Sequence, residues 1–204
     1  MDDAHLKAES AQPELGAELE AAVRTLLQEI GEDGTREGLV GTPARVRRMY
    51  AELTDGYRAD PDALINNACF EVEYDEMVVV RDIEFYSLCE HHLLPFYGHA
   101  HVGYLPRGRV IGLSKIPRIV DLYAHRLQVQ ERLTQQVAHL LMEQLNPKGV
   151  ACVIEGTHLC TMMRGVRKQQ ATMVTSAMLG TFRRDPKTRG EFLTLIGRPG
   201  SVVA

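Results

Sequence analysis

The stretch Met77-Val78-Val79-Val80-Arg81-Asp82-Ile83-Glu84-Phe85-Tyr86 marks the point where the chain changes its period. β-Branched and aromatic residues crowd it, as they crowd Tyr97–Tyr104 and Arg109–Leu113, and such residues favour extended backbone. Pro95 and Pro106-Arg107-Gly108 supply turns between these segments. Further on, Val150–His158, Ala171–Leu179 and Phe192–Ile196 also read as strands. Two helices interrupt the series. Ser114 can cap one that runs through Tyr123. The other, about Gln130 to Leu145, buries Leu133, Val137, Leu140, Leu141 and Leu145 and is stopped by Asn146-Pro147.

Upstream of Met77 the period is helical. After Pro13, apolar residues recur at Leu15, Leu19, Ala22, Val23, Leu26, Leu27 and Ile30, and Gly31 ends that helix. A second begins at Thr42-Pro43, with Thr42 as N-cap, Pro43 in the first helical position and a stripe of Val46, Met49, Tyr50 and Leu53. Arg45 falls in its first turn, where the helix dipole makes a cation unfavourable. The order is that of an α+β protein: a frayed tail over 1–12, a helical region over 13–70, and a sheet interrupted by two helices over 71–204.

Composition narrows the function classes. With 45% hydrophobic and 25% charged residues, the chain has the profile of a globular protein with a real core. No apolar run is long enough to span a membrane, and the first residues lack a signal peptide's basic and apolar regions. Four cysteines, Cys69, Cys89, Cys152 and Cys160, are too few for a disulfide scaffold, so reduced thiols or metal ligands in the cytoplasm are expected. Residues 1–37 carry ten acids against three bases, whereas 107–132 carry six bases against two acids and 164–189 seven against one. Two basic tracts in a chain of net charge −4 permit a local anion site. They lack the aromatic interleaving of a nucleic-acid surface.

The chemistry concentrates in Cys89-Glu90-His91-His92 and the distant His158-Leu159-Cys160. Thiolate and imidazole together suit zinc, and Cys89 and His92 have the spacing of a ligand pair in one tight turn. In a strand, His158 and Cys160 would point to the same side. Cys152 is a poor further ligand, since along a strand it would lie roughly 26 Å from Cys160. Cys89, His92 and Cys160 are therefore assigned to zinc, with a position open for water. His91 and His158 stand beside them as general acid and base. A closed site with His158 as fourth ligand ranks only slightly behind. His99 and His101 alternate within a strand, His139 sits on an amphipathic helix, and His5 and His125 read as surface residues.

Five segments taken together carry a resemblance. They are Glu37-Gly38-Leu39 with Thr42-Pro43-Ala44-Arg45; Cys89 through Phe96; Gly112-Leu113-Ser114-Lys115-Ile116-Pro117-Arg118; Gln128 through Thr134; and His158 through Gly165. In this order and spacing they resemble GTP cyclohydrolase I over about residues 15–198. The resemblance implies the tunnelling fold, an antiparallel sheet with two helices on one face that forms a barrel across subunits. It also implies a homo-oligomer, typically a decamer of two pentamers, with active sites between subunits in the 71–204 domain. The implied reaction converts GTP and water to formate and 7,8-dihydroneopterin triphosphate, the entry to pterin and folate synthesis.

Carried over residue by residue, the resemblance makes Cys89, His92 and Cys160 the Zn2+ ligands and His91 and His158 the catalytic histidines. Glu131 matches the guanine-reading carboxylate, with Gln130 beside it. Lys115, Arg118 and Arg164 match triphosphate contacts, with Ser114 near the ribose and phosphates and Arg45 supplied by a neighbouring subunit. Pro117 stands where some relatives have Asn, and Thr161 where Met is frequent. Two rivals remain. Cys89 could be a nucleophile, as in a nitrile reductase of the same fold, or the zinc site could be closed and purely structural.

Overall fold

A computed structural model describes residues 15–65 and 68–197, so the tail over 1–12 lies outside the described residues. The helical region comprises α1 (Ala17–Glu29), α2 (Glu37–Val40), α3 (Thr42–Leu53), a 3-10 turn at Asp55–Tyr57 and α4 (Pro61–Ile65). Gly31 follows α1 with φ of 84°, a left-handed geometry that glycine adopts without steric cost. Thr42 does not cap α3. α2 runs into it through Gly41, whose backbone is already helical, and the Thr42 hydroxyl turns back to Gly38 O at 3.4 Å.

The sheet region follows as β1 (Cys69–Glu71), β2 (Val78–Cys89), β3 (Pro95–Leu105), β4 (Arg109–Ile111), α5 (Lys115–Ala124), β5 (Leu127–Gln128), α6 (Gln130–Leu145), β6 (Gly149–His158), α7 (Leu159–Met162), β7 (Met173–Gly180), α8 (Thr181–Arg184) and α9 (Pro186–Ile196). The main sheet has the order β5-β2-β3-β6-β7. Its pairs are antiparallel except β2 with β5. Pro95 opens β3 opposite Leu88 rather than making a turn, so the connection is confined to Glu90–Leu94. Near its start β2 carries a bulge, with a register shift between Val80 and Ile83 and Asp82 at φ 57°. The Asp82 N–H leaves the ladder there and donates to His101 Nδ1 at 3.1 Å.

Beyond the bulge β2 alternates from Ile83 to Ser87, and Leu88 and Cys89 at its end are both buried. Ile83, Phe85 and Ser87 face inward, while Glu84 and Tyr86 face out. The inner face packs against α5 through Ile116, Ile119 and Val120, and against α6 through Leu133, Val137 and Leu141. Each such side chain, fully withdrawn from water, contributes about 1.5–3 kcal/mol. Part of the opposite face stays exposed, with Tyr86 and Tyr97 stacked on it at 5.8 Å. Elsewhere Phe182 and Phe192 cover Ala151 and Val153.

The last predicted strand is a helix instead. Phe192–Ile196 closes α9, whose N-terminus is set by Asp185, accepting from Lys187 N and Thr188 N at 3.1 Å each, with Pro186 in the first turn. Five apolar and β-branched residues are too few to distinguish the two periods, and the Asp-Pro cap decides.

Candidate metal centre

β2 ends at Cys89, and the chain then makes a helical turn. Leu93 N and His92 N both donate to Cys89 O, at 2.8 and 3.3 Å, and Cys89 N donates to Leu94 O at 2.9 Å. This turn requires Leu93 at φ 55°, and it brings Cys89 Sγ within 3.9 Å of His92 Nδ1. The third donor arrives differently from the expected strand. β6 stops at His158, and Cys160 sits in the short helix α7, whose Thr161 hydroxyl donates to His158 O at 3.0 Å. Ligand atoms of Cys89, His92 and Cys160 all lie within 4.8 Å of one another. Two thiolates bound to one tetrahedral zinc stand roughly 3.8 Å apart, so the three residues can hold such an ion.

The electrostatics agree with that use. Burial, and then the neighbouring Cys89, push the Cys160 thiol above its ordinary pKa. Two thiolates side by side are unfavourable unless a cation lies between them, and a bound metal reverses the sign. Arg164 reaches the same spot, donating from Nη1 to His92 Nε2 at 3.0 Å. Among the described residues this metal-spaced group has three donors. Cys152 takes no part: it is fully buried, with its thiol pushed up to about 12.

His158 stands beside the cluster with its Nε2 on Gln130 Oε1 at 2.9 Å. Its ring is stacked on Phe96. Burial lowers its pKa against the opposing pull of Glu131, which favours the neutral imidazole at neutral pH. His91 is exposed, with Nε2 3.8 Å from Glu90 Oε1. The structure thus gathers Cys89, His91, His92, Gln130, Glu131, His158, Cys160 and Arg164 at one end of the sheet.

Four predicted residues lie elsewhere. Ser114 borders a cleft of about 850 Å³ with Val80–Glu84, and Ile83 is six residues from Cys89, roughly 20 Å along β2. Lys115 donates to Leu64 O at 2.6 Å, and Arg118 lines a 380 Å³ pocket with Asp55, Asp121 and His125. Arg45 is exposed on α3. Two contributors escaped the sequence reading. Arg132 binds Glu90 and also donates to Gln128 Oε1 and Leu127 O, bracing the turn that carries Cys89 and His92. Arg132 holds the Glu90 carboxyl below the usual range. Glu90 lay in plain view between the ligands, but nothing local announced its partner.

The sequence model of GTP cyclohydrolase I matches residues 19–197. The chain belongs to the GTP cyclohydrolase I family. It is 59% identical to GTP cyclohydrolase 1 of Methylococcus capsulatus over 88% of this chain and 97% of that one. The figure is again 59% for GTP cyclohydrolase 1 of Leptospira biflexa, over 90% and 100%. A solved archaeosine synthase QueF-Like, at 18% identity and a TM-score of 0.45 over 53% of this chain and 97% of that one, is too distant to argue from. As a GTP cyclohydrolase I family member the chain is an enzyme, and its α+β architecture is consistent with the family's tunnelling fold. Among the described residues no helix is long and apolar enough to cross a membrane.

Proposed function

We propose that this chain opens the imidazole ring of GTP, releasing formate and forming 7,8-dihydroneopterin triphosphate, with Zn2+ as cofactor. The observation that carries the reading is the three-donor cluster of Cys89, His92 and Cys160 with His158 and Glu131 beside it, within the family match. Zinc held there would supply an acidified water for attack at guanine C8.

The chain's own groups handle recognition and protons. Guanine shows two donors, N1–H and the 2-amino group, and the Glu131 carboxylate can accept both. Its proximity to His158 sets the purine beside that imidazole. His158 and His91 then move protons at the purine nitrogens and ribose as the ring opens. Arg164 takes the triphosphate, leaving His92 as it does so.

The remaining phosphate contacts bear on the assembly. Ser114 borders Val80–Glu84, well down β2 from Cys89, while Lys115 and Arg118, which follow it on α5, are turned to Leu64 and to the pocket of Asp55 and Asp121 rather than to the metal cluster. A neighbouring copy can bring its own set to that cluster. This supports sites shared between subunits of a homo-oligomer, a decamer of two pentamers, with Arg45 contributed by a further copy. A reducing cytoplasm suits the thiol ligands.

The test is conversion of GTP to a product that becomes a fluorescent pterin on oxidation, measured with zinc-loaded protein. His91→Ala and His158→Ala should each abolish turnover with zinc retained. Activity surviving loss of both imidazoles would overturn the proton-handling roles, and a chelator-free preparation without stoichiometric zinc would favour Cys89 as a nucleophile.

A further inference from the structure

Gln130 stands next to Glu131, yet its carboxamide is not free to meet a ligand. The side chain is 1% exposed. Its Nε2 donates to Ile154 O at 3.0 Å and Met173 O at 2.9 Å, with Thr175 Oγ1 at 3.1 Å. Carbonyl oxygens only accept, so turning the amide over would set Oε1 against two acceptors. The hydroxyls point the same way. Thr134 Oγ1 donates to Gln130 O at 2.7 Å, so in the 2.7 Å contact between Thr134 and Thr175 the donor is Thr175. Thr175 therefore presents a lone pair to the amide nitrogen, and the polarity of the whole chain is settled.

What remains is Oε1, an acceptor, 2.9 Å from His158 Nε2. An acceptor requires a hydrogen on the nitrogen it meets, so the neutral ring carries its proton on Nε2 and keeps a lone pair on Nδ1. The backbone makes room for this contact. A Cβ on Gly156 would lie 2.3 Å from Oε1, which leaves the amide no space beside any larger residue.

We propose that Gln130 is a positioning residue that holds His158 in the Nε2–H tautomer, leaving Nδ1 as the ring nitrogen that exchanges protons with the substrate. Its place in turnover rests on His158 being a proton-handling group, as proposed above. The tautomer itself does not. Guanine recognition then falls to Glu131 without Gln130.

The experiment is long-range proton–nitrogen correlation NMR on zinc-loaded protein carrying 15N-histidine, with the His158 signals identified by their loss in His158→Asn. The wild-type spectrum should show a protonated Nε2 and a bare Nδ1. In Gln130→Ala that signature should give way to a mixture of tautomers. Turnover should fall about 10–100-fold with zinc still stoichiometric, and KM for GTP should stay within about threefold. Gly156→Ala leaves Gln130 chemically intact but displaces Oε1, and should give the same spectral change. A wild-type ring protonated on Nδ1 overturns the proposal without any variant. So does an unchanged tautomer in both variants, or a raised KM at unchanged kcat in Gln130→Ala. Should wild-type protein fail to turn over GTP, the functional reading falls in that assay alone, and the spectra still decide the tautomer.

Discussion

The imidazole of His158 lies flat on the ring of Phe96, centroids 4.6 Å apart and planes 2° from parallel. The two residues pair across β3 and β6. Phe96 is itself immobilised by burial and an edge contact with Phe85 at 5.8 Å. The histidine is thus held in plane by an apolar surface and in rotation by Gln130.

Phe96→Leu should therefore separate stability from turnover. Removing the ring costs about 1–2 kcal/mol in a buried site, read by thermal or denaturant unfolding. Turnover of GTP should fall by about 3–10-fold through looser placement of His158, with metal content unchanged. A variant that loses stability but keeps wild-type kcat would show that the stack is structural only.

Arg132→Lys should weaken zinc binding although it touches no ligand. Arginine spans Glu90, Gln128 and Leu127 at once, and a lysine ammonium cannot reproduce that fork. Affinity should drop roughly 10–100-fold, measured by competition with a chromophoric chelator. Unchanged affinity would mean that the turn at Cys89–His92 holds its shape unaided.

Mixing two defective chains should restore activity. On the proposed roles, His158→Ala would lack the metal-end function and Arg118→Ala the phosphate-end function. If each site draws on two copies, random co-assembly in equal amounts leaves about a quarter of the sites intact. Recovery near that fraction is expected in the GTP assay. No recovery would mean that both groups serve a single copy's site.

Cys152 should make the protein alkali-sensitive. Burial lifts its thiol from 9.0 to about 12. The unfolded chain then releases this proton above pH 9, while the folded chain holds it until about pH 12. Its stabilising share is present below pH 9 and is lost between those values, at about 1.4 kcal/mol per pH unit. Denaturant unfolding of wild type and Cys152→Ala across that window should show a difference in stability that changes with this slope. A constant difference would exclude the linkage.

Much of this architecture could be read from the chain. α6 was legible because its stripe is long and its end is marked twice, by Asn146 at φ 46° and by Pro147. The candidate cluster of Cys89, His92 and Cys160 was legible because Cys-x-x-His, weak alone, gains weight from a distant His-x-Cys, although Cys160 reaches it from α7 and not from the expected strand. Other features were not. α9 offered too short an apolar run, and its signal lay upstream in Asp185-Pro186. Glu90 with Arg132, and Gln130 with His158, are pairs made by the sheet, between residues 42 and 28 positions apart. Nothing local specifies them. Nor could spacing reveal that Lys115 binds Leu64 O or that Arg118 shares a pocket with Asp55, Asp121 and His125.

The closeness of Cys89 and Cys160 carries a liability. Sulfur atoms near enough to clasp one ion are near enough to join each other, giving up two electrons and two protons to an oxidant. Without an ion between them in air, both thiols should be lost to that crosslink and the enzyme should stay inert until a reductant frees them. A bound ion would then guard the very atoms that grip it.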